Sequence, residues 1–414
     1  MFNRLIVNEL QLWAVSSSRK PLVIRGARQV GKTVAVRIFS KGYRHYSELN
    51  LEFDENAAFF KRGLKAHEII QAIKLREHIP DNADSWLLFF DEIQACPEAV
   101  EMLRYFYEEL PALHVIAAGS LLEVALQREH ISFPVGRVEF RYLYPMTFEE
   151  YLGAASNSTV VDLFHQVPTP AYAEAELFAL YHQYALIGGM PEAVAEYVRT
   201  KDVVAVNHVY ENLFAAYLDD IPKYARNETM ARVLRHCLKS APALAGKRIQ
   251  FAGFGESNYR SREVGEALRT LEQVMLISLL YPTVALEPPF LPNERKSPRL
   301  QFIDTGLIHY LTGVQHELIG MDDLSAAFRG GLLEQLTAQE LMGGCYNVRK
   351  KPLFWVREKT QSQAEVDFLD TQGVVPLPIE VKSGAAGKLR SLRRFVEMQP
   401  LSSHKGLIFG IVPA

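Results

Sequence analysis

Cysteine is scarce: Cys96, Cys237 and Cys345 are the only three in 414 residues, odd in number and far apart. This excludes a disulfide framework and a zinc site of paired cysteines, and it leads to the expectation of a reduced, cytoplasmic compartment. No apolar run is long enough to cross a bilayer, and polar residues interrupt the first ten positions, so a soluble protein with no membrane partner is expected. A surplus of either charge is also missing. The formal net charge is −3, so there is no global attraction to nucleic acid or anionic lipid, and any such contact must come from local patches. Repeats and low-complexity tracts are lacking too. At 414 residues the chain should hold two to four globular domains.

What is present centres on Gly26-Ala27-Arg28-Gln29-Val30-Gly31-Lys32-Thr33, which fits the phosphate-loop pattern G-x-x-x-x-G-K-[ST] at every fixed position. Pro21 to Ile24 before it reads as a short buried strand, and Val34 to Phe39 after it has helical spacing. Gly26 and Gly31 permit backbone angles that bring successive N–H groups onto phosphate oxygens at a helix start. Lys32 is expected to reach the terminal phosphates of ATP, and Thr33 to offer its hydroxyl to Mg2+.

The surrounding region alternates strands and helices. Trp86 to Phe90 and Leu113 to Ala118 are continuous apolar runs of the kind found in a sheet covered on both faces, which indicates a doubly wound parallel α/β domain. Asp91 and Glu92 follow the first run. Such a pair suits a magnesium shell, with Asp91 as metal ligand and Glu92 polarising an attacking water, and this points to hydrolysis rather than small-molecule phosphotransfer. Ser120 ends the next strand, where it either contacts the γ-phosphate or serves as a plain turn residue. Arg128 and Arg137 are candidate cations for the transferred phosphoryl group, in the same chain or across a subunit interface.

Residues Val23 to Thr33, Leu87 to Gln94, Ala118 to Ser120, and Gly136-Arg137 followed by Leu143 to Tyr151 resemble a P-loop ATPase of the AAA+ superfamily, in the branch often called archaeal-type ATPases. The resemblance implies that Ser120 acts as a sensor, that Arg137 lies near the nucleotide, and that the chain associates with itself as a homo-oligomer. Gly188-Gly189-Met190-Pro191 resembles a segment that follows the ATPase core in that branch, and its expected role is structural.

From about Glu228 the order helix, irregular element, helix from an N-cap at Ser261, and two strands around a Pro-rich loop is that of a winged helix-turn-helix. Arg260, Arg262 and Arg269 place cations there for DNA phosphate, whereas Glu263, Glu266 and Glu272 on the same helix suit a protein partner instead. Further on, a helix carries Glu334, a hairpin strand carries Asp367, and a third strand ends in Glu380 and Lys382, which share a face. Two carboxylates and a lysine on adjacent strands can hold a second divalent metal, Mg2+ or Mn2+, for phosphodiester attack. The bland reading is a cross-strand salt bridge.

This arrangement resembles the PD-(D/E)xK nuclease-like fold, an α/β restriction-endonuclease-like domain, with Asp367, Glu380 and Lys382 matching its core and Glu334 the acid of its first helix. Val366 stands where the motif has proline. Lys388, Arg390, Arg393 and Arg394 follow as candidate phosphate contacts. The expected organisation is an ATPase core over 1–155, a helical connector over 156–225, a winged helix over 226–320 and a nuclease-like domain over 321–414. The expected function is Mg2+-dependent ATP hydrolysis coupled to DNA binding or processing. The alternative is a nucleotide-dependent protein-interaction switch with a silent nuclease-like domain.

Overall fold

The computed structural model describes residues 2–83, 85–120, 122, 134, 136–314, 331–347, 349, 351–357, 364–370, 375–382, 389–399 and 406–410. Arg128 and Lys388 lie outside them. The chain divides into two compact units, residues 1–144 with 345–349, and residues 145–344 with 350–414.

The first unit is built on strands β1 (Leu22–Arg25), β2 (His45–Asn50), β3 (Trp86–Asp91), β4 (His114–Gly119) and β5 (Glu139–Tyr142). Their order is β2-β3-β4-β1-β5 and every pairing is parallel. Parallel strands bury both faces, which is why Leu87, Leu88, Phe89 and Phe90 are all fully buried. Each such side chain contributes about 1.5–3 kcal/mol by leaving water. Helices Asp54–Lys61, Ala66–Glu77 and Pro97–Glu109 supply Phe60, Ile69, Ile73, Leu103 and Phe106 to the cluster against this sheet. Because all strands run the same way, the segments after β1, β3 and β4 emerge along one carboxyl edge.

In the second unit, helices Phe148–Ala155, Ser158–Phe164, Ala171–Ile187, Pro191–Thr200 and Val203–Tyr224 lead to Glu228–Ser240. Two 3-10 turns follow, then the helix Ser261–Gln273, whose Val264, Ala267, Leu268 and Leu271 are buried. The expected cap at Ser261 is shifted by one residue: Arg260 is the N-cap, and the Glu263 carboxylate accepts its N–H at 3.2 Å. Strands β6 (Ile277–Leu280) and β8 (Arg299–Phe302) pair antiparallel, and β7 (Pro282–Thr283) between them pairs parallel with β9 (Leu353–Val356). A mixed sheet of order β12-β11-β10-β9-β7 is completed by β10 (Glu365–Asp370), β11 (Leu377–Lys382) and β12 (Leu407–Gly410). The helices Gly331–Gly343 and Arg390–Met398 belong to this part of the unit.

The paired glycines of the second unit have a specific function in the packing. A Cβ on Gly188 (φ +82°) would fall on the Asp304 carboxylate, and one on Gly189 would fall on the Met146 carbonyl. Asp304 is fully buried; it accepts from Gly189 N–H at 2.6 Å, from Leu307 N–H at 3.0 Å and from the Tyr210 hydroxyl at 3.0 Å. It therefore caps the helix Thr305–Thr312 and clasps the glycine pair at once. Burial pushes its pKa up to about 6 against these donors.

Candidate functional site

Gly26 leaves β1 beneath the Leu143 carbonyl, so close that a Cβ would lie 2.4 Å from that oxygen. Gly31, at φ +95°, is the N-cap of the helix Lys32–Phe39, and Gln29 also takes a left-handed conformation (φ +65°). The loop thus turns its backbone toward a helix start, where N–H groups and the helix dipole favour an anion. Lys32 is buried, and its ammonium donates to the carbonyls of Gly26 (3.1 Å) and Ala27 (2.9 Å). Burial holds its pKa down to about 8, opposed by the charges of Glu92 and Asp91.

The Thr33 hydroxyl donates to Asp91 Oδ2 at 2.8 Å, joining the helix start to the end of β3. Burial raises the Asp91 pKa, Thr33 and Lys32 oppose that rise, and neighbouring Glu92 adds to it. Glu92 sits at φ +50°, and Gln94 Nε2 donates to its Oε2 at 2.6 Å. Gln94 in turn lies over Gly119, where a Cβ would be 2.3 Å from its amide oxygen. Ser120, half-buried, follows Gly119 on the same edge. Phosphate loop, Asp91, Glu92 and Ser120 are therefore brought together.

Arg137 is not. It precedes β5, whose parallel register pairs Glu139 with Leu22 and Tyr142 with Arg25, so Arg137 lies at the amino edge of the sheet, opposite the loop of its own chain. There it forms an exposed ion pair with Glu108 at 3.1 Å. Any contact with a phosphate would have to be with another subunit's.

Residues 18–152 match the AAA domain family, 178–318 a domain of unknown function (DUF8612), and 329–411 another domain of unknown function (DUF4143). The first unit has a P-loop ATPase fold. An uncharacterized protein of Methanocaldococcus jannaschii is 24% identical over 96% of this chain and 82% of its own length. Among solved structures, the Walker-type ATPase PABY2304 of Pyrococcus abyssi is similar at 16% identity and TM-score 0.48, over 75% of this chain and 96% of that one. The RuvB Holliday junction branch migration motor of Thermotoga maritima is similar at 15% identity and TM-score 0.28, over 71% and 93%.

The P-loop ATPase fold implies ATP and Mg2+, and the donor set fits both. Thr33 and Asp91 offer hard oxygens to Mg2+ beside the Lys32 ammonium, at the start of the helix Lys32–Phe39.

The second unit holds the other expected cluster, and it contains a residue that the sequence reading missed. Asp367 Oδ2 accepts from Val381 N–H at 2.9 Å, and Lys382 Nζ pairs with Glu380 Oε1 at 2.7 Å. Between Asp367 and Glu334 lies Arg299 of β8, its side chain 4% exposed. The guanidinium is 3.1 Å from Glu334 Oε2, 2.6 Å from Glu365 Oε1 and 3.7 Å from Asp367 Oδ1, and it donates to the Asp367 carbonyl at 2.9 Å. Its faces lie over Phe354 and Phe368, at 4.8 and 5.5 Å from the ring centroids.

Burial pushes the Glu334 pKa up to about 7, opposed by Arg299 and reinforced by Asp367, Glu365 and Glu380. Glu380 Oε2 is buried without a hydrogen-bond partner. With Arg299 seated among these oxygens, the cluster does not fit a divalent metal. Among the described residues no group of three or more His, Cys, Asp or Glu side chains is arranged to hold one. Also among the described residues, no helix is long and apolar enough to cross a membrane.

Proposed function

We propose that this chain is a Mg2+-dependent ATPase whose nucleotide state governs engagement of DNA phosphate by the second unit. The observation that carries the reading is the Thr33–Asp91 hydrogen bond beside Lys32 and Glu92, on a loop shaped for phosphate. Mg2+, when bound, neutralises charge on the β- and γ-phosphates. Lys32 binds the same oxygens, Thr33 and Asp91 orient the ion, and Glu92 takes the proton of the attacking water. Gln94 holds the Glu92 carboxylate at a fixed place while Ser120 reads the γ-phosphate.

The DNA half of the reading rests on how the charges of Ser261–Gln273 are used. Glu263 caps its own helix, Glu266 pairs with Arg226 at 3.1 Å, and Glu272 accepts from Leu279 N–H and pairs with Lys351 at 2.8 Å. Arg260, Arg262 and Arg269 stay exposed, as do Arg390, Arg393 and Arg394. The acids that argued for a protein partner are thus occupied internally, and the arginines present a basic face to phosphate.

A second reading, a nucleotide-dependent protein-interaction switch with a silent nuclease-like domain, is favoured by the position of Arg299. Phosphate release by the native chain and Glu92→Gln tests the ATPase. Turnover should fall by about 10²–10⁴-fold with ATP binding retained, and unchanged turnover would remove Glu92 as the base. DNA binding that weakens steeply with salt, and less steeply after Arg262→Ala, supports the first reading; no DNA binding at low salt supports the second.

A further inference from the structure

We infer that Arg299 is a built-in cation occupying the place of a divalent metal in the carboxylate cluster of the second unit, and that the cluster binds no such metal while Arg299 is seated. The inference rests on the nuclease-like reading of that cluster and states how the site is regulated.

Four carboxylates, Glu334, Glu365, Asp367 and Glu380, face three cations: Arg299, Lys382 and Arg248, the last 3.4 Å from Glu365 Oε2. The acids are therefore nearly balanced without a metal. A guanidinium cannot lose its proton in a protein, so the positive charge of Arg299 stays among these acids at any pH at which the chain folds. Geometry gives the same answer. A divalent ion must gather oxygens to within about 2.0–2.6 Å of one point. Here Glu334 and Glu365 instead each turn an oxygen to the planar fork at 3.1 and 2.6 Å, while Asp367 meets it through its backbone carbonyl at 2.9 Å and its Oδ1 lies 3.7 Å away.

The remaining features hold the fork in place. Phe354 and Phe368 cover its faces, and the Asp367 carbonyl accepts from the same Nη1 that meets Glu334. Lys382 engages Glu380 Oε1, and Val381 N–H engages Asp367 Oδ2. Glu380 Oε2 has no hydrogen-bond partner and is buried beside them. Arg299 engages one oxygen each of Glu334, Glu365 and Asp367, and Arg248, Val381 N–H and Lys382 engage further oxygens of Glu365, Asp367 and Glu380. The cluster is consequently an ion-pair lock between β8 and the carboxyl-terminal sheet, and a metal enters only where Arg299 is withdrawn.

The test is Mn2+ binding to the full-length, nucleotide-free protein, read from the electron paramagnetic resonance signal of free Mn2+. The native chain and Asp367→Asn should titrate identically. Arg299→Met should bind about one further Mn2+ per chain, and Glu380→Gln in that background should abolish it. A native chain whose Mn2+ binding is lost on Asp367→Asn would overturn the inference, as would a folded Arg299→Met protein with no gain. If Arg299→Met does not fold, the comparison of the native chain with Asp367→Asn decides alone. An Arg299→Met protein that gains Mn2+ yet leaves single- and double-stranded DNA intact keeps the lock and removes the nuclease-like reading on which it was built.

Discussion

Asp304 is where the second unit is most exposed to a single change. Its Oδ1 accepts from Leu307 N–H and the Tyr210 hydroxyl, and its Oδ2 from Gly189 N–H. Asp304→Asn keeps the Oδ1 pair and turns an amide NH2 toward Gly189 N–H, leaving one donor facing another. A hydrogen bond to a charged group contributes about 1.5–3 kcal/mol, so Asp304→Asn should lose roughly 2 kcal/mol at pH 7.5, where Asp304 is ionised. Asp304→Ala strands both backbone N–H groups, while the Tyr210 hydroxyl retains the Ile187 carbonyl as acceptor. Two orphaned buried donors at about 1–3 kcal/mol each place the alanine loss at roughly 2–6 kcal/mol.

The loss also depends on pH. Because the folded pKa of Asp304 is raised from 3.8 to about 6, the native state holds its proton longer than the unfolded chain. The native stability contribution is therefore fully present below about pH 4 and falls as pH rises through about 6, by roughly 3 kcal/mol in all. Asp304→Ala lacks this slope, so its deficit should be largest near pH 4 and smaller at pH 7.5. Urea unfolding of the three proteins at both pH values measures it. An alanine variant within about 0.5 kcal/mol of native at pH 4 would refute the clasp, as that is the range of surface substitutions. A deficit that grows with pH would refute the sign.

Two further outcomes follow from buried titratable groups. Lys32, with its pKa held down to about 8, loses its charge above that value, so the nucleotide-free protein should bind ATP about tenfold more weakly per pH unit above 8. Equilibrium binding should show this dependence in the native chain and not in Lys32→Met. Glu340, half-buried, has its pKa pushed up to about 7 by burial, against donation from the Tyr184 hydroxyl and Phe148 N–H. Native stability should fall between pH 5 and 8 by roughly 3 kcal/mol more than that of Glu340→Gln, measured by urea midpoints, and equal slopes would count against a raised Glu340.

The loop before the helix Lys32–Phe39 and its partner at the end of β3 were legible because their requirements are local. A buried strand, two glycines, a lysine and a threonine are consecutive, and Asp91 and Glu92 directly end a run whose every residue is buried. Of the two places open to Arg137, its own chain's phosphate or another subunit's, the parallel register of β5 against β1 sends it away from its own loop, and that register is a long-range property the sequence does not carry. Gln94 and Asp304 act through neighbours distant in sequence, Gly119 and Gly189, and no local pattern marks those pairs. The Glu334, Asp367, Glu380 and Lys382 set was found as a set. Arg299, which decides what the set does, stands 35 residues or more upstream on a strand read only as part of a wing.

That arginine belongs to a wider seam, through which regions that match separate families share one compact unit. Along the helix Gly331–Gly343, Gln335 bonds both backbone groups of Phe302, Gln339 accepts from Thr305 N–H and donates to the Tyr184 hydroxyl, and Glu340 accepts from Phe148 N–H. A helix buried among other elements is ordinarily apolar there, and this one instead uses glutamines and a glutamate to satisfy backbone groups at the end of β8 and at the first residues of the helices Thr305–Thr312 and Phe148–Ala155. β7 adds a backbone pairing to β9 at the same seam. Buried ion pairs and amide bonds yield little net stability over a well-packed apolar alternative, but they penalise any other register severely because each misplaced partner is left unsatisfied. The seam therefore specifies one arrangement of β8 against the carboxyl-terminal sheet, and in that arrangement Arg299 is seated among Glu334, Glu365 and Asp367.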